Sequence, residues 1–300
     1  MSLPKNILIT GASSIIMKEL IEKINENDYK IWAVTRDKSK INNSKAEFLV
    51  GNICDPIFID TIINEKKIAI VIHAAAISHS YNIQDYNDVN FQGTIHLVNA
   101  SKKNKVSKFI FISTRAASLE SGAYGFSKLK AENYIKTNFD NWLIIRPSEI
   151  FGGNKKEGIN KLIDDLLHKK IIPCPLNVKS KLFPIYYQDA VQRIYELIFD
   201  ARLENEVKTI NGKEGFSYYE LIHRISKTIE RKIFIIPVPK FILFIIQWMV
   251  KTFSLKIGIF PDQVSRLYSL KETQQGYNTL SVEEYALSQI KISKKLSQIS

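Results

Sequence analysis

Asn6-Ile7-Leu8-Ile9-Thr10-Gly11-Ala12-Ser13-Ser14-Ile15-Ile16-Met17 sets the reading of the chain. A short apolar run, a turn at Gly11 and a helix-like stretch from Ser14 to Asn25 make a strand–turn–helix unit. Gly11 permits a tight turn, and the start of the following helix offers backbone N–H groups to an anion such as a pyrophosphate. Ser14 and Met17 stand where a dinucleotide loop usually carries its second and third glycines. Taken alone, an ordinary strand-to-helix turn explains this stretch better, so the rest of the chain must decide.

The same alternation continues outward. Ile31–Val34, Phe48–Val50, Ile68–Ile72, Phe109–Ile112 and Trp142–Ile145 read as apolar strands, and Tyr86–Lys102 and Tyr124–Lys136 as helices. Continuous apolar strands separated by helices predict a parallel sheet covered on both faces, an α/β fold of the Rossmann-like doubly wound kind. Ligands in such sheets bind at the carboxyl ends of the strands. After Arg146-Pro147 the rhythm changes to Gly152-Gly153, a helix near Asn160–His168, a loop at Pro173 and Pro175, a helix from Gln188-Asp189 to about Ala201, and a capping box at Ser217–Glu220. The expected division is a dinucleotide-binding unit over 1–150, to which later segments return, and a smaller α-rich substrate lobe over 151–300.

Composition narrows the function. The chain has 300 residues, an ordinary apolar fraction of 45% and a formal charge of +12. Its lysines are scattered without a basic block or a stacking motif, so a solvated surface is preferred to a nucleic-acid interface. A positive field also draws in a phosphorylated small substrate. Cys54 and Cys174 show no metal or redox spacing, which points to a reducing, cytoplasmic setting. The first residues lack a signal-peptide layout. The run Phe241–Val250 is too short to span a bilayer. It is expected as a buried helix of the second lobe, with a dimer face or a membrane-surface helix as alternatives.

Tyr124-Gly125-Phe126-Ser127-Lys128 carries the chemistry. Positions i and i+4 share a helix face, so the Lys128 ammonium is placed to lower the Tyr124 phenol, which titrates near ~10 when free. Thr114 follows the Phe109–Ile112 strand and can share one carbonyl or alcohol oxygen with Tyr124. Arg36 follows the second strand, where an Arg holds a 2′-phosphate and an acid holds a ribose hydroxyl. It therefore points to NADP(H), while Asp37 keeps NAD(H) open and a solvated loop Arg is the bland alternative. His73 reads as a turn-stabilising residue. Asn90 reads as a support beside the site.

The chain resembles the extended short-chain dehydrogenase/reductase family, specifically its NAD(P)-dependent sugar-nucleotide epimerases and 4-ketoreductases. The resemblance runs through Thr10-Gly11, Val71 to Ala76, Asn90 to Thr94, Ser113-Thr114, Tyr124 to Lys128, Arg146-Pro147, Phe151-Gly152, Gly158 to Leu162, Tyr186 to Val191 and Pro261 to Val264. It implies catalysis by Thr114, Tyr124 and Lys128. It implies a cofactor site of Thr10, Gly11, Ser13, Ser14, Ile15, Ile16, Arg36, Asn52, Ile53, Ala74, Ala75, Ala76, Asn90, Tyr124, Lys128 and Pro147. It implies substrate contacts from Ser78, Thr114, Asn160 and Lys181, with no metal. Asn52 stands where an adenine-binding Asp is usual, and Leu182 where a phosphate-binding Arg is common, so Lys181 or Lys179 is the expected substitute. Arg115 and Ala116 replace the acid pair of the dehydratases, so no 4,6-dehydratase activity is expected. The expected activity is NADPH-dependent reduction of a UDP-4-keto sugar at C4. A 4-epimerase with tightly held NAD and a non-catalytic scaffold on the same fold are the alternatives. A homodimer and a role in polysaccharide synthesis follow from the resemblance alone.

Overall fold

A computed structural model describes residues 5–24, 28–37, 45–153 and 157–297. The first half alternates as the sequence pattern requires. Strand β1 (Lys5–Thr10) leads to helix α1 (Ile15–Lys23), then β2 (Tyr29–Thr35), β3 (Ala46–Val50), α2 (Pro56–Glu65) and β4 (Ile68–His73). A π-helical segment, Tyr86–Gln92, runs directly into α3 (Gly93–Lys103), followed by β5 (Lys108–Ile112), α4 (Gly122–Asn138) and β6 (Trp142–Pro147). Asn25, the expected end of the first helix, lies outside the described residues. The sequence pattern leaves α2 unassigned, although its start is well marked. Asp55 caps it by accepting from the Ile57 and Phe58 N–H groups, and Pro56 opens its first turn.

The second half supplies β7 (Ile150–Phe151), α5 (Gly158–His168), β8 (Ile171–Pro175), β9 (Ile185–Tyr186), α6 (Tyr187–Phe199) and β10 (Glu206–Ile210). It continues with α7 (Tyr218–Thr228), β11 (Phe234–Val238), α8 (Lys240–Phe253), α9 (Gln263–Tyr268) and α10 (Val282–Ser297). The capping box read from the sequence is present: Ser217 accepts from the Glu220 N–H, and Glu220 accepts from the Ser217 N–H.

Seven strands form one parallel sheet in the order β10-β6-β5-β4-β1-β2-β3. The chain moves outward from β1 through β2 to β3, then returns to β4 on the other side of β1. The strand order therefore reverses between β1 and β4, and the crevice above that point is the expected ligand site. Each face is buried, which is why the strands are almost uniformly apolar. Ile7 and Ile9 join Met17, Leu20 and Ile194 in one core, while Leu8, Val71 and Phe109 join Ile59, Leu97 and Ile135 in the other. A third core, with Phe151, Leu162, Leu166, Leu221 and Ile225, holds the second lobe together.

One expectation is overturned. Phe241–Val250 does form a helix, but it is not a buried one. In α8 only Val250 is fully buried, whereas Phe241 is 64% and Trp248 60% exposed. The helix packs on α9, and its one polar mid-helix residue, Gln247, points inward. The Gln247 carbonyl oxygen accepts from the Val264 and Ser265 N–H groups, and its amide donates to Ser265 Oγ.

Candidate active site

The site is assembled at the carboxyl end of β5. Thr114 lies just past that strand, and α4 begins eight residues later at Gly122. Gly122 adopts φ +66°, and a Cβ there would lie 2.7 Å from Asp262, so this turn requires glycine. The tight approach lets the Asp262 carboxylate accept the Tyr124 N–H at 3.1 Å and the Tyr86 hydroxyl at 3.1 Å. The Thr114 hydroxyl lies near the Tyr124 phenol and lowers its pKa. Arg266 lies 4.8 Å from the centre of the Tyr124 ring.

Tyr124 and Lys128 share the cavity face of α4, yet their electrostatics differ from the sequence expectation. Burial raises the Tyr124 pKa above its ordinary value, and the groups pulling it back are Arg266 and Thr114 rather than Lys128. Lys128 is itself fully buried. Its ammonium donates to the Ile112 carbonyl at 2.8 Å and sits 3.9 Å from the centre of the Phe111 ring. Burial lowers its pKa to about 7, against a raising influence from Glu132. Its charge acts on His73, whose pKa it helps to lower, and is not among the influences on Tyr124. Glu132 accepts from Ser113 Oγ at 2.5 Å and from Arg146 at 2.9 and 2.6 Å, which locks the middle of α4 against β5 and β6.

Thr114, Tyr124, Lys128, Pro147 and Ser78 line one cavity of about 700 Å³ together with Ser14, Ile16, Ala74 and Ala76. A neighbouring cavity of about 210 Å³ is lined by Gly11, Ser13, Ser14, Arg36, Asn52, Ile53 and the Ala74–Ala76 backbone. Ser14, Ala74 and Ala76 border both, so the two spaces adjoin. These residues fit a dinucleotide. Gly11 sits at φ +72°, and a Cβ there would fall 2.7 Å from the Ala74–Ala75 peptide. Ser14 has φ −72° and ψ 147°, which needs no glycine, and its hydroxyl caps α1 by accepting the Met17 N–H. Met17 fills the first core where a glycine would give close helix–strand packing.

The remaining sequence candidates support the site from behind. Thr10 is fully buried; its hydroxyl pairs with His73 Nδ1 at 2.7 Å and accepts the Ala75 N–H at 3.2 Å. Burial holds the His73 pKa well below its ordinary value, in keeping with a structural histidine. Asn90 accepts from the Ile77 N–H at 2.8 Å and donates to Ser127 Oγ at 3.1 Å, bridging β4's exit to α4. Ile15 packs beneath Gly153. Asn160 accepts the Gly152 N–H at 2.7 Å and donates to its carbonyl at 3.1 Å, and it lies outside both cavities. Lys181 is exposed and lines neither; its backbone carbonyl accepts from Arg115.

Besides Lys128, the basic residues lining the large cavity include Arg115, Arg266 and Lys271. Arg115 is 4% exposed and leaves its Nε and Nη1 without hydrogen-bond partners, while Lys271 lies 3.5 Å from Glu149. Sequence reading missed them as binding groups. Arg115 stands out in the sequence only for the acid it replaces, and Arg266 lies two residues beyond the Pro261–Val264 phrase. No pattern marks Lys271. Among the described residues no cluster of three or more His, Cys, Asp or Glu could hold a metal, and no helix is long and apolar enough to cross a membrane.

The sequence model of the NAD dependent epimerase/dehydratase family matches residues 7–178, which include both cavities' β1–α1 loop, Thr114, Tyr124 and Lys128. The chain belongs to the NAD dependent epimerase/dehydratase family. Among curated members, it is 24% identical to the UDP-glucose 4-epimerase of Vibrio cholerae over 88% of this chain and 86% of that one. It is 26% identical to the bovine dTDP-D-glucose 4,6-dehydratase over 56% of this chain and 58% of that one. Solved structures share the fold. Thermotoga maritima UDP-glucose 4-epimerase with UDP-glucose superposes at a TM-score of 0.66, with 21% identity, 78% of this chain and 85% of that one. The Bordetella bronchiseptica enzyme WbmG with NAD gives 0.67, with 17% identity, 89% and 93%.

Proposed function

We propose that this family member carries out NAD(P)(H)-dependent oxidoreduction at C4 of a nucleotide-diphosphate sugar, running as a 4-ketoreductase on a UDP-linked 4-keto sugar. The presence of the Tyr124 phenol and the Thr114 hydroxyl side by side on the wall of the large cavity carries this reading. Two hydroxyls converging on one substrate oxygen can orient it and move its proton. Tyr124 gives or takes that proton, and Thr114 holds the oxygen. General acid–base help of this kind contributes roughly 10²–10⁴-fold. A nicotinamide dinucleotide, when bound, would supply the hydride chemistry. Gly11, Ser13, Ser14 and Asn52 would hold its adenosine diphosphate end, and Arg36 is the residue suited to a 2′-phosphate. Arg115, Arg266 and Lys271 suit the anionic diphosphate of the substrate.

The purified protein should oxidise NADPH when given a UDP-4-keto-6-deoxy sugar, and Tyr124→Phe should abolish that turnover. Full activity in the Phe variant would remove Tyr124 from its role. A second reading is 4-epimerisation with tightly held NAD, favoured by the match to the Vibrio cholerae UDP-glucose 4-epimerase along most of both chains. Interconversion of UDP-glucose and UDP-galactose without added cofactor, and no NADPH consumption, would select it.

A further inference from the structure

Surface helices of globular proteins turn their polar residues outward. Helix α8 keeps its lysines outward but departs from this rule along its middle. Gln247 faces the protein, while Phe241 (64%), Ile245 (52%), Trp248 (60%) and Phe253 (60%) face solvent. The strand that feeds it behaves alike. Phe234 pairs with Ile171 across β11 and β8, and these side chains are 69% and 54% exposed. Monomeric proteins seldom leave so continuous an apolar surface bare.

We propose that α8 and the outer face of the β8–β11 pair form a docking surface for an anionic lipid bilayer. Charge selects this occupant. Residues 231–261 contain Arg231, Lys232, Lys240, Lys251 and Lys256 and no acidic side chain, and β8 is flanked by Lys170 and Lys179. Lysines bordering an apolar face bind anionic headgroups while the apolar side chains enter the acyl boundary. A second copy of this chain presenting the same face would oppose these cations with its own. The helix has 14 residues, too few to span a bilayer, so it lies along the surface. Trp248 and the neighbouring phenylalanines suit the headgroup level.

The surface is continuous with the large cavity. Pro173 and Pro175 of β8, Val238 of β11 and Leu243 of α8 line that cavity, while Ile236, Phe241 and Ile242 beside them are exposed. Docking therefore sets this wall of the cavity against the headgroup layer.

The test is co-sedimentation of the full chain with vesicles of phosphatidylcholine alone or mixed with phosphatidylglycerol. Phosphatidylglycerol should raise the bound fraction at least about tenfold, and high salt should reverse it. Trp248 emission should shift to the blue, since Trp32 and Trp142 are only 8% and 9% exposed. Phe241→Ser combined with Trp248→Ser should abolish binding and leave the melting temperature near that of the wild type. The proposal is overturned by absent binding to both vesicle types, or by binding that survives the double substitution. A dimer abolished by that substitution, without vesicle binding, would assign the face to a second copy instead. None of these readouts requires turnover, so they stand or fall separately from the C4 chemistry.

Discussion

The Asp262 carboxylate accepts the backbone N–H of Tyr124 at 3.1 Å, joining the start of α9 to the first turn of α4 across 138 residues of sequence. A carboxylate at a helix N-terminus satisfies a donor with no intrahelical partner and interacts favourably with the helix dipole. Here it also fixes Tyr124, the proposed acid/base residue. Asp262→Ala should lower turnover by about tenfold to a hundredfold through misplacement of Tyr124. Asp262→Asn, which keeps an acceptor, should recover part of the loss. Steady-state kinetics of the two variants check this, and equal losses would argue against positioning.

Burial of Lys128 makes stability depend on pH. Its pKa falls from 10.5 to about 7 on folding, so between these values the unfolded chain binds more protons than the folded one. Stability must therefore rise with pH across that window, and the cost of burying the charge is present in full below it. Lys128→Met removes this dependence. The melting temperature of the variant, relative to wild type, should be most favourable near pH 6 and decline steadily toward pH 10. A constant difference across thermal melts would refute the buried-charge assignment.

Restoring the missing loop glycines should not restore anything. Met17 is fully buried among Ile7, Leu20 and Ile194, so Met17→Gly empties part of the core and adds a helix-interior glycine. A loss of about 3 kcal/mol or more is expected in urea unfolding. Ser14→Gly gives up only the cap on Met17's N–H, and should cost a few tenths of a kcal/mol, about what glycine costs at such a position. Cofactor titration of the Ser14 variant should give an affinity close to that of the wild type.

Glu132 has no exposed surface and is held by Ser113 and Arg146. Removing its charge leaves Arg146 with only the exposed Glu272, 3.7 Å away, as counter-charge. Glu132→Gln should destabilise the protein by about 3–5 kcal/mol in denaturant titration.

The sheet was legible because its strands are buried on both faces, which leaves uninterrupted apolar runs such as Phe109–Ile112. That Thr114, Tyr124 and Lys128 meet on one cavity wall was legible because one helix turn and one strand end place them. The electrostatics were not. Whether Lys128 raises the potential at Tyr124 depends on where its ammonium rests, and the Ile112 carbonyl that receives it carries no sequence signal. Arg266 and Lys271 reach the cavity from elements whose packing is set by tertiary contacts, such as Asp262 with Tyr86. Helix α8 misled for a related reason: an apolar run predicts burial, but the same residues face outward when a single glutamine anchors the inner side. Strand β10, with its alternating Glu206-Val207-Lys208-Thr209-Ile210, is a sheet-edge strand and lacks the apolar run of the central ones.

That last strand has a consequence for synthesis. β10 pairs with β6, yet it lies some sixty residues downstream of it. A nascent chain that has emerged only as far as β6 holds six of the seven strands and an open edge along Trp142–Pro147. Such an edge templates pairing with other chains until it is covered. The first half cannot be produced as a clean fragment by cutting near residue 150, and expression of a chain ending there should give aggregates. Adding back residues through Ile210 should return it to solution.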